Sequence, residues 1–229
     1  MTESVPSHPP EAMLGRRLTT PRAAAVAGLL FAVLFGTALV LLRTAIPRDT
    51  ADGIDDLERS VGQLRAAAVL MPIAGITFLW FVGVVRDRLG QLEDRFFSSV
   101  MFGSGLLFLA MIFVATAFAG GLLAVARGPV DPIERTIIGF GQEVMVQISG
   151  VYALRMAGVF MISLGTIWLR TGLMPRWVVV GTYLPAAILL FVASVTVWVT
   201  LLFPAWVGAI SIVILLNTFS PNRAVTRSG

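Results

Sequence analysis

The sequence predicts an all-α transmembrane fold, a six-helix bundle with N- and C-termini cytoplasmic. Three observations predict it. Long apolar runs carry almost the whole of a 229-residue chain that is 57% hydrophobic, with a mean hydropathy of +0.88. Only 13% of its residues are charged, where a soluble domain carries roughly a quarter. Nearly all of those charges stand in the tails and between the runs. Lipid offers the backbone no hydrogen-bond partner, so apolar runs of about 20 residues must close their bonds internally, as helices.

Residues 1–22 are polar and rich in proline and serine, the composition of a disordered cytoplasmic tail, with Arg16, Arg17 and Arg22 near the membrane. Span 1 is 23–42; its run ends Val-Leu-Leu-Arg with no small-residue cleavage site, so it reads as an uncleaved anchor. Residues 43–65 form a polar loop in which Asp55 or Asp56 caps the helix leading into span 2, 66–85; Pro72 stands near that span's start as a kink site. The segment RDRLGQLEDR, 86–95, is a short loop with Gly90 as helix stop. Its mirrored charges suggest an ion-pair clamp between spans 2 and 3. Span 3 is 99–125.

Asp131-Pro132-Ile133-Glu134 has the form of a helix start, with N-cap, N1 proline and N3 acid. It predicts a short surface helix, broken near Gly139 or Gly141, ahead of span 4 at 144–169. Gly172 and Pro175 then stop one helix and restart the next. The uncharged run Trp177–Pro221 would be about 67 Å long as one helix, more than twice the bilayer core. It must turn back. The best break is Thr200–Pro204, since proline removes a donor and disfavours helix before it. Spans 5 and 6 are then 177–199 and 204–219, and 220–229 is a short cytoplasmic tail.

Charge sets the orientation. The N-tail, 86–95, 170–176 and the C-tail hold ten arginines against five acids; the opposite loops hold six against eight. The basic side faces the cytoplasm, and an even span count agrees. The pI of about 10.9 and formal charge of +4 therefore read as membrane topology and not as a nucleic-acid partner.

Composition also excludes chemistry. The chain has no cysteine, one histidine (His8, in the tail) and no lysine, all 17 basic residues being arginine. Thiol catalysis, disulfides, intramembrane haem or zinc ligation by histidine, and Schiff-base chemistry lose their side chains. No catalytic, cofactor-binding or metal-binding residue is assigned. The acids Asp52, Asp55 and Asp56 superficially resemble Mg²⁺-holding clusters, but lie in one short loop already rich in arginine and read as a solvated, salt-bridged loop. The all-arginine, Ala/Val/Gly/Leu-rich usage suggests a high-GC bacterial genome.

One charge breaks the pattern. Arg155 stands eleven residues into span 4, roughly 16 Å from its outer end and so near the midplane. A central arginine costs about 2.5–3.5 kcal/mol on insertion scales, so it is expected to face the bundle or a wet cavity. Tyr152, Gln147 and Glu143 on the same helix are the candidate partners, Glu143 leading because no carboxylate lies inside the other spans; Thr77, Ser104, Thr116 and Thr182 are further candidates. The site reads either as an anion, lipid-headgroup or proton-coupled substrate contact, or as a structural arginine bound to helix carbonyls and water.

Small residues recur at four-residue spacing: Gly28-Ala32-Gly36 in span 1, and Ala153-Ala157 beside Gly150 and Gly158 in span 4. Such faces admit close helix contact, within one chain or in a homo-oligomer or with a membrane-protein partner. The five tryptophans, Trp80, Trp168, Trp177, Trp198 and Trp206, mostly stand near span ends, as interfacial aromatics do.

The stretches FLWFVGVVRDRLGQLEDRFF (78–97), GSGLLFLAMIFVATAFAGG (103–121) and YALRMAGVFMISLGTIWLRTGLMPRW (152–177) resemble a group of actinobacterial multi-pass membrane proteins of unknown function. Tyr-Ala-Leu-Arg-Met, Leu-Arg-Thr-Gly and Pro-Arg-Trp are the most specific parts. The resemblance covers about half the chain. It implies a six-helix protein of the bacterial cytoplasmic membrane and carries over no activity, cofactor or catalytic residue. The expectation is thus a non-enzymatic accessory, interaction or lipid-organising component whose partner is the bilayer. The alternative is a small transporter or channel subunit using Arg155 to contact an anion or lipid phosphate.

Overall fold

The computed structural model describes residues 21–44, 54–89, 95–125, 132–191 and 197–219, and among them every residue is helical except the link 172–175. The helices are α1 (Pro21–Thr44), α2 (Ile54–Leu89), α3 (Arg95–Val125), α4 (Pro132–Val146), α5 (Leu154–Thr171), α6 (Arg176–Phe191) and α7 (Leu202–Phe219). A π-helical segment, Gln147–Ala153, joins α4 to α5, and a 3-10 turn, Val197–Leu201, leads into α7. Five stretches are long and apolar enough to cross a membrane: Arg22–Leu42, Val61–Asp87, Phe96–Gly121, Thr136–Thr171 and Val199–Leu216. The sixth apolar helix, α6, has 16 residues.

Several boundaries differ from those the sequence suggests. Asp55 and Asp56 stand inside the first turn of α2, because the helix already begins at Ile54. Pro132 opens α4 as expected, but the helix runs on through Gly139 and Gly141 with no break. A glycine costs a helix interior about 1 kcal/mol, and packing of α4 along α3 outweighs that. In the final run, α6 is described over Arg176–Phe191, and Val197–Leu201 form a 3-10 turn that leads into α7, so the expected 199 falls in that turn. Pro204 therefore sits in the first turn of α7, where a missing N–H costs little. The tails, Asp52, Gly90, Glu93, Asp94 and Asp131 lie outside the described residues, and with them the ion-pair clamp. Gly172 does end α5. It adopts the left-handed φ of 65° and its N–H bonds the Trp168 carbonyl at 3.0 Å, and α6 restarts through Val178 N–H to Pro175 O at 2.9 Å.

The helices neighbour one another in the order α7, α1, α2, α3, α5, α6, with a thinner contact between α6 and α7 closing the ring. Aromatic rings fill its centre. Phe78 of α2 lies 4.8 Å from Phe31, 5.6 Å from Phe108, 5.6 Å from Phe160 and 5.8 Å from Phe203, measured between centroids. Five different helices thus meet on one ring, and all five residues are buried. Trp168 and Trp206 extend the cluster, 6.3 Å apart and themselves buried. These two tryptophans are core residues and not surface aromatics, whereas Trp80 and Trp177 are 66% and 69% exposed. Trp206 donates its indole N–H to Thr182 Oγ1 at 3.1 Å, and Thr182 donates to Val178 O, so both buried polar groups are satisfied.

Small residues let the helices close around that centre. A Cβ on Gly28 of α1 would fall on Ser211 Oγ of α7 and 2.9 Å from Phe81 Cδ2; only glycine fits. A Cβ on Gly158 of α5 would likewise fall 3.1 Å from Ala186 O of α6. The stripes in spans 1 and 4 are therefore used within the chain, with Gly36 and Gly150 facing open space.

Candidate functional site

At one end of the bundle two arginines lie over phenylalanine rings of α3. Arg86 of α2 stands 4.6 Å from the Phe102 centroid and Arg170 of α5 stands 4.6 Å from that of Phe97. A guanidinium over an aromatic face is favourable. Arg155 is fifteen residues from Arg170 along the same helical stretch, about 22 Å at 1.5 Å per residue.

Arg155 is exposed on the outer surface of the bundle, while Ala153, Leu154, Ala157 and Gly158 are buried. This corrects the expectation that it faces the bundle or a cavity. Gly158 meets Ala186 and Leu190, and Thr166 Oγ1 bonds Tyr183 OH at 3.1 Å, so α5 and α6 run antiparallel, with Phe191 near the level of Met156. Tyr152 is 54% exposed.

The expected partners are not brought to Arg155. Gln147 Nε2 donates to Glu143 Oε1 at 3.2 Å. Glu143 lies twelve residues before Arg155, about 17 Å along the axis, far beyond ion-pair range. Thr77, Ser104, Thr116 and Thr182 bond carbonyls of their own helices. Among the described residues none pairs with the Arg155 guanidinium, and no group of three acidic or histidine side chains comes together.

The π segment aligns what sequence distance separates. In an α-helix twelve residues turn Arg155 about 120° away from Glu143. Seven residues at roughly 4.4 per turn remove most of that offset, so Glu143, Gln147, Tyr152 and Arg155, all exposed, form one ladder on one face. Its spacing is four, five, then three, the five-residue step lying inside the π segment. Such segments are frequent at functional sites.

No protein-family model, no curated protein and no solved structure matches the chain.

Proposed function

We propose that the protein is a non-enzymatic, lipid-organising component of the bacterial cytoplasmic membrane, crossing it six times with both termini inside. It works on its outer surface, by holding a lipid phosphate at Arg155 in the outer leaflet. The observation that carries this reading is the exposed guanidinium, about 22 Å from Arg170 along a membrane helix, with no protein partner among the described residues. An arginine so placed lowers its cost by reaching for headgroups, and its side chain leans towards the helix N-terminus, here the outer surface. The arginine excess on the side of the two cation–π pairs supports the orientation. The resemblance to actinobacterial multi-pass proteins supports the compartment. A solute path through the bundle has less support, because five phenylalanines occupy its centre.

Arg155→Leu tests this. The expected outcome is a variant that inserts and purifies like the wild type, retains fewer phospholipids on mild extraction, and fails to complement a deletion strain. Arg155→Lys, which keeps the charge but not the bidentate fork, should restore part of both. Full retention and full complementation by Arg155→Leu would sink the proposal. A periplasm-active reporter fused at the C-terminus would sink the six-crossing topology.

A further inference from the structure

α5 reaches the outside of the bundle along a single line. From Ala157 to Trp168 every residue is buried except Val159, Ile162 and Thr166, which are half-buried. These three stand four, seven and eleven residues after Arg155, the spacing of one helix face, and Leu169, 54% exposed, continues the line. The neighbouring helices set it back. On one flank Gly158 and Gly165 lie against Leu190 and Tyr183 of α6; on the other Phe160 lies against Gly105 of α3, and Arg170 over Phe97. Outward positions on α6 itself, Val180 and Leu184, are 68% and 70% exposed. The line is therefore the floor of a furrow between α3 and α6, and the exposed Arg155 guanidinium stands at its head. Thr166 Oγ1 donates to Ile162 O at 2.8 Å and so takes the proton of Tyr183 OH, 3.1 Å away. The only hydroxyl on the floor is thus satisfied within the protein.

We propose that this furrow holds an acyl chain of the phospholipid whose phosphate Arg155 takes. The inference rests on the lipid-phosphate reading above and adds the course of the chain. Length fits. From Arg155 to Thr166 is about 16 Å, close to half of a roughly 30 Å hydrocarbon core, the depth that one chain occupies. Charge sets the direction: the guanidinium calls for an anion at the head, and the apolar floor beyond it for hydrocarbon. The Arg155 side chain leans towards the helix N-terminus, away from Val159, so a phosphate there stands clear of the floor. Val159, Ile162 and Thr166 are all β-branched, with rotamers largely fixed before anything binds, so a chain laid on them orders little protein. A partner helix fits worse. It is about 10 Å across, would ride on the α3 and α6 flanks, and finds no small residue on the line to let its backbone approach.

Lipid retention tests the furrow. The full-length protein is reconstituted in phosphatidylglycerol vesicles, extracted with a mild detergent, and its retained phospholipid counted by mass spectrometry. Ile162→Trp raises a ring from the floor into the furrow and should lower the count about fivefold. Leu184→Trp puts the same ring on the outward face of α6 and should leave the count at the wild-type value. A second measurement needs no variant. From micelles holding equal amounts of long-chain phosphatidylglycerol and a short-chain form whose tails span about half the furrow, wild type should retain the long-chain lipid about fivefold over its bulk share. A wild-type count in Ile162→Trp, an equal loss in both tryptophan variants, or retention in proportion to bulk share overturns the furrow, and leaves the lipid-phosphate reading standing where Arg155→Leu lowers the count. A wild-type count in Arg155→Leu overturns that reading itself.

Discussion

Phe78→Ala should destabilise the bundle by about 3 kcal/mol, near the low end of the range for burying and then deleting a phenylalanine. The low end is expected because lipid tails are as apolar as the core, so the loss is packing and dispersion and not transfer from water. The loss is still large, because one ring touches those of four other helices and the space it leaves is lined by Phe31, Phe108, Phe160 and Phe203. Titration with a denaturing detergent, followed by circular dichroism, reads the change. Phe118→Ala, at a residue 40% exposed on α3, is the matched control and should shift the midpoint little. Equal shifts in the two variants would mean that the ring cluster is not what holds the helices together.

The second large effect is expected at the α1–α7 seam. Gly28→Ala places a methyl on the Ser211 hydroxyl, which is buried and has no hydrogen-bond partner among the described residues. Separating the helices to fit it should cost about 2 kcal/mol, in the usual range for overpacking. Ser211→Ala alone should cost little, since its hydroxyl gains nothing from burial. The double variant should recover about half of the Gly28→Ala loss, the residue being the clash with Phe81. Strict additivity of the two changes would show that α1 and α7 do not meet here.

Class and most elements were legible in the sequence because lipid imposes simple rules: apolar length gives helices, and caps such as Pro132 and Gly172 give ends. What was not legible involves relations between helices. Trp206 and Trp168 carry the same composition signal as an interfacial tryptophan, and only the arrival of Thr182 and of each other makes them core. Arg155 was legible as an anomaly but not as an outward-facing one. Its direction depends on a π segment that α-helical periodicity cannot represent.

The ring cluster has a mechanical consequence. Phe78 meets one ring from each of four other helices, and close-packed interiors transmit strain instead of absorbing it. None of these five helices can slide along its axis without displacing the shared rings, so the bundle should answer a change in bilayer tension as one body and not helix by helix.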